Sequence, residues 1–199
     1  MALDTIELFI DEENIDDGIS AISFVEHPAI EENWVALSQQ EVKFKSIDDE
    51  KRIVVGLALV PDKEIYRRRG EYEYNVVFTK ETVRKASHLY LKQLNNNEAT
   101  LEHEKEATGL SVVESWIVED VKNDKSNMYD LNAVEGAWCV IMKVDNDKVW
   151  EEVKKGVYLG FSIEGRFSDK KIEASAEVEL NEDEKLLAQI KDLLTKINN

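Results

Sequence analysis

The chain is poor in the residues that make covalent staples, metal clusters and cationic surfaces. It has one cysteine, Cys139, in 199 residues, so it can form neither an intrachain disulfide framework nor a Cys-rich zinc site. Its three histidines, His27, His88 and His103, lack the spacing of a metal motif, and neither metal nor cofactor is expected. Lys and Arg number 25 against 42 Asp and Glu, a net charge of −17 and a pI near 4.6. Such a chain is repelled by phosphate backbones and anionic lipid, so nucleic acid and membrane surfaces are not expected partners. The one local cationic cluster, Arg67, Arg68 and Arg69 beside Gly70, reads as a loop. The longest uncharged run is nine residues, Ile53 to Pro61, against the roughly 20 a membrane-spanning helix needs. Asp4, Glu7 and Asp11 near the start do not read as a secretory signal. The pattern is that of a soluble intracellular protein. No glycine-rich phosphate loop, internal repeat or low-complexity tract interrupts it.

With 43% apolar residues and four Trp, there is material for one core of ordinary size. Residues 1–178 read as a single domain and 179–199 as an appended amphipathic helix. Alternating apolar residues predict strands over 5–10, 19–26, 42–46, 53–60, 71–78, 110–119, 137–144, 157–167 and 171–178. Three helices are predicted. Thr79 caps the first, which runs to about Leu94 with Val83, Ala86, Tyr90 and Leu94 on one face; Asp147 caps the second, which stops at Gly156. The third spans about 182–197, with Leu186, Ile190, Leu193 and Ile197 forming an apolar seam. Many strands, few helices and no βαβ rhythm predict a mainly β fold with peripheral helices (α+β), an antiparallel barrel or sandwich.

Three places could carry chemistry. In Gly160-Phe161-Ser162-Ile163-Glu164-Gly165, strand alternation turns Phe161 and Ile163 inward and Ser162 and Glu164 outward, while the flanking glycines leave backbone uncrowded for an incoming chain. The order G-x-S-x-E is not the hydrolase nucleophile elbow. A hydroxyl nucleophile needs a base, and His103, between Glu102 and Glu104, is one of only three histidines that could serve. Glu114 shares a strand face with Val112, Trp116 and Val118. If that face is buried the carboxylate must find a cation, as in an ion pair, or a donor, as when it orients an imidazole.

Taken in order, His103, then Val112 to Val118, Gly136-Ala137-Trp138, Trp150 to Gly156 and Gly160 to Gly165 form a pattern that resembles the phage prohead (capsid maturation) serine proteases. Val60 to Arg67, Val77 to Thr82 and Ile19 to Ala29 fit as well, so the likeness covers about residues 5 to 170. That family is similar to the herpesvirus assemblins. The resemblance implies a closed or partly open β-barrel of assemblin type with Ser162 as nucleophile and His103 as general base. It implies cleavage of phage scaffold and major capsid protein, and self-cleavage, in the host cytoplasm inside the assembling prohead. A homodimer is implied by the same likeness. The family's third, acidic member lies on a strand resembling Ala21 to Ala29, which implies that the last barrel strand has moved into residues 1–37 by circular permutation. Ala21 stands at the acid's place. Glu114 is the favoured replacement, with Glu26 and His27 as rivals. The alternative is a catalytically degenerate protease domain acting as a capsid or scaffold assembly module.

Overall fold

The computed structural model describes residues 3–11, 13–26, 45–48 and 50–172. The predicted helix over 182–197, His27, and the predicted strand residues 42–44 and 173–178 lie outside them. Among the described residues are twelve strands: β1 (Asp4–Phe9), β2 (Gly18–Val25), β3 (Lys45–Asp48), β4 (Ile53–Leu59), β5 (Ile65–Arg69), β6 (Tyr72–Phe78), β7 (Ala99–Leu101), β8 (Lys105–Glu106), β9 (Leu110–Ile117), β10 (Trp138–Val144), β11 (Gly160–Arg166) and β12 (Ser168–Ile172). Two α-helices accompany them, α1 (Lys80–Lys92) and α2 (Asp147–Lys154).

The strands form three four-stranded sheets, in the orders β12-β1-β6-β5, β3-β4-β10-β9 and β11-β2-β7-β8. The architecture is mainly β with peripheral helices, as the sequence pattern predicts, but the sheets do not close into a barrel. Nor are they purely antiparallel, because β1 pairs parallel to β6 and β2 parallel to β7. Parallel neighbours are joined through distant chain, so local periodicity carries no sign of them. The Arg67–Arg69 cluster belongs to strand β5 rather than to a loop. It is drawn into a hairpin with β6 by a turn in which Gly70 has φ +64°, and Arg67 faces Tyr74 across the pair.

The second sheet is the centre of the molecule. One face packs into the main core, where Val54, Trp138, Val140 and Met142 meet Ile22, Phe24 and Phe161 of the third sheet, Phe78 of the first, and Tyr90 and Trp150 of the helices. The opposite face builds a second cluster of Val55, Leu57, Val118, Cys139 and Ile141. A strand buried on both faces has no reason to alternate, which explains why the longest uncharged run in the sequence is β4. Burial pushes the Cys139 thiol up to about 12, so it stays protonated and is not a competing nucleophile.

Helix α1 begins where Thr79 Oγ1 accepts the Thr82 amide, and it buries Val83, Ala86 and Tyr90 at spacings of three and four. It stops earlier than the periodicity suggests: Leu94 is outside the helix, left-handed at φ 62° and exposed. Helix α2 is capped by Asn146, one residue before the predicted Asp147, with Oδ1 accepting the Lys148 and Val149 amides. Trp138 is fully buried, packs edge-on against Tyr90 and donates Nε1–H to Ser115 Oγ at 2.8 Å. Trp138→Ala is expected to cost about 3–5 kcal/mol through lost contacts and the void left behind, read as a drop in the urea unfolding midpoint.

Candidate active site

The third sheet carries Ser162 and Glu164 on β11 and His103 just past the end of β7. Its strand β11 obeys the alternation: Phe161 is buried in the core and Ile163 packs against it, while Ser162 and Glu164 are half-buried on the opposite face. The register sets Ser162 directly opposite Ser23 on β2, and Ser23 opposite Thr100 on β7. Three hydroxyl residues therefore lie in one row across β11, β2 and β7. Glu164 faces Ala21 in the same pairing. The glycine after it answers to the fold rather than to a substrate. A Cβ on Gly165 would lie 2.2 Å from the Gly18 carbonyl oxygen, because β2 crosses there at a bulge between Glu164 and Gly165.

His103 belongs to the turn joining β7 to β8, closed by the Glu104 amide donating to the Leu101 carbonyl at 3.0 Å. Its two central residues, Glu102 and His103, have φ of 52° and 57°, the positive values that a type I′ turn requires. Strand β2 holds this turn from one side. The Glu102 amide donates to the Phe24 carbonyl and the His103 amide to Ser23 Oγ, each at 3.0 Å, and Glu102 Oε1 accepts the Glu26 amide at 2.6 Å.

The imidazole is engaged at one nitrogen. His103 Nδ1 lies 3.1 Å from Glu164 Oε1, and that oxygen also accepts the Thr100 hydroxyl. The two side chains are 23% and 27% exposed, shielded enough to keep the bond and open enough for a peptide to reach it. An ionised carboxylate only accepts, so the bond fixes the Nδ1–H tautomer of the neutral ring and leaves the lone pair on Nε2. Ser162 is a neighbour of both anchor points. It sits across the strand pair from Ser23, which holds the His103 main chain. It also stands two residues from Glu164 on the same face, about 7 Å along the strand.

Glu114 sits elsewhere. On β9 the pairing with β10 jumps from Ile141↔Glu114 to Met142↔Val112, so Val113 is an extra, exposed residue. This bulge reverses the alternation. Ser115 and Ile117 turn to the main core, and Glu114, now 52% exposed at its side chain, pairs with Lys125 Nζ. The same ammonium lies 3.9 Å from the Trp116 ring centroid. The carboxylate found its cation, and the group on the imidazole is Glu164. Glu26 contributes its backbone amide at the edge of the His103 turn. Glu164 was visible in the sequence as the outward partner of Ser162, two residues on. What the sequence lacked was the register carrying β7 and its turn to that point of β11.

Residues 41–173 match the family model described as "Putative phage serine protease XkdF". This segment contains Thr100, His103, Ser162 and Glu164, but not β2. The chain is also similar to the phage-like element PBSX protein XkdF of Bacillus subtilis (strain 168), 29% identical over 121 residues. Those residues are 61% of this chain and 39% of that protein, so the chain spans well under half of the relative it matches. No solved structure matches it.

Proposed function

This chain belongs to the family described as "Putative phage serine protease XkdF", and we propose that within it Ser162, His103 and Glu164 work together as the machinery of an endopeptidase. Ser162 Oγ attacks the scissile carbonyl carbon as its proton passes to His103 Nε2. That proton then goes to the amide nitrogen as the C–N bond breaks, leaving an acyl-Ser162 ester. A water, deprotonated by the same nitrogen, attacks the ester and frees Ser162. Glu164 holds the ring in the tautomer that keeps Nε2 available and stabilises the imidazolium formed in between.

The observation that carries this reading is the Nδ1–Glu164 bond, made on the strand and face that also carry Ser162. It also answers the problem posed by Ala21. By resemblance the family's acid belongs at that position, and Glu164 is the residue directly across the strand pair from it. Directly opposed side chains lie about 5 Å apart, so a carboxylate from β11 reaches the space that one from β2 would occupy. Substrates are proposed to be phage scaffold and major capsid protein, processed in the host cytoplasm inside the assembling prohead, with self-cleavage included. An alkyl fluorophosphonate, which reports an activated serine, is expected to label Ser162 alone, located by peptide mass spectrometry, and to fail on His103→Ala. Labelling that survives loss of His103, or that falls on other serines, overturns the assignment.

A further inference from the structure

The turn carrying His103 is built from the wrong residues for its shape. Two consecutive positive φ values favour Asn-Gly or a similar pair, because side chains with a Cβ are strained there. Here the pair is Glu102-His103. Non-glycine residues persist in such a conformation only when their surroundings over-determine it. The surroundings are β2, which lies outside the segment matching the family model. Two of the three bonds to the turn use main-chain groups, the Phe24 carbonyl of β2 and the Glu26 amide just past its end, which any residue would supply. The third uses the Ser23 hydroxyl, fully buried, accepting the His103 amide at 3.0 Å with its own proton toward the Phe24 carbonyl at 3.4 Å.

We infer that Ser23 is a positioning residue for the peptidase: its buried hydroxyl fixes the backbone of His103 so that the ring meets Glu164 with Nδ1 and presents Nε2 to Ser162. This rests on the peptidase reading, and the side chain never touches substrate. Removing the hydroxyl leaves the His103 amide without its acceptor in a site closed to water. The turn then relaxes toward negative φ, and the imidazole leaves Glu164.

The test compares Ser23→Ala and Ser23→Thr with wild type, using the rate of Ser162 labelling by a fluorophosphonate and the ¹⁵N–¹H spectrum of the His103 ring. In Ser23→Ala the maximal labelling rate is expected to fall at least tenfold, with half-saturation by the reagent changed less than twofold. The Nδ1–H resonance of the ring is expected to be lost. Ser23→Thr keeps a hydroxyl and is expected to recover most of the rate and the resonance. An Ala variant that keeps both overturns the inference, as does a Thr variant as impaired as Ala. The ring spectrum needs no catalysis. If wild type proves unreactive while Ser23→Ala still releases the ring from Glu164, the peptidase reading fails and the positioning contact stands.

Discussion

Ser162→Ala is expected to abolish processing. The substitution removes one oxygen from a half-buried residue on an edge strand whose core contacts are made by its neighbours Phe161 and Ile163, so the fold should be unaffected and thermal unfolding unchanged within a degree or two. The chemistry has no substitute. The residue opposite it, Ser23, is fully buried with its hydroxyl committed to the His103 amide, and the Thr100 hydroxyl is committed to Glu164. Cleavage of the proposed substrates should fall by at least about 10⁴-fold, equivalent to about 5 kcal/mol of lost transition-state stabilisation. His103→Ala should be equally inactive, and the double variant no worse than either alone, since nucleophile and base act as one unit. Intact-mass spectrometry of the incubated proteins gives the result directly. Equal processing by wild type and Ser162→Ala removes Ser162 from the mechanism.

Part of the arrangement on β11 is legible in the sequence. Period-two alternation puts Ser162 and Glu164 on one face and Phe161 and Ile163 on the other, and the core contacts of Phe161 and Ile163 agree. Strands are legible over 53–60 and 137–144, though read there as alternating, whereas β4 and β10 are buried almost throughout. The scarcity of histidine leaves few bases for any serine. What escaped is what depends on distant chain. The parallel pairings β1–β6 and β2–β7 join segments some seventy residues apart, and no local pattern encodes them. Strands β7 and β8, of three and two residues, are too short for periodicity to register. Glu114 misled for a different reason: a strict alternation counted from Val112 puts it inside, and a single extra residue, Val113, puts it outside. A bulge leaves no mark in composition, so inward and outward positions read along a strand hold only as far as the first irregularity.

The contrast between the two glutamates gives a sharp discrimination. Glu164→Gln keeps the size of the side chain but turns one of its two oxygens into an NH₂ group, at a carboxylate whose single oxygen Oε1 serves both His103 Nδ1 and the Thr100 hydroxyl. If the amide turns that NH₂ toward His103, it donates to Nδ1, and the neutral ring must then carry its proton on Nε2. If it turns the oxygen inward, the ring keeps its tautomer but loses the charge that stabilises the imidazolium. Either way the rate of cleavage is expected to fall by about 10²–10⁴-fold, or about 3–5 kcal/mol, with the unfolding temperature nearly unchanged. Half-saturating substrate should stay within a few-fold, because neither side chain binds the peptide. The ¹⁵N–¹H spectrum of His103 separates the two orientations, since a switch from Nδ1–H to Nε2–H moves both ring nitrogens. Glu114→Gln weakens only an exposed pair with Lys125, worth at most about 1 kcal/mol of stability, and is expected to cleave at the wild-type rate. Wild-type cleavage by Glu164→Gln together with a loss in Glu114→Gln would mean that the imidazole is oriented from β9 in the working enzyme, and that the bond to Glu164 is a contact of the resting protein alone.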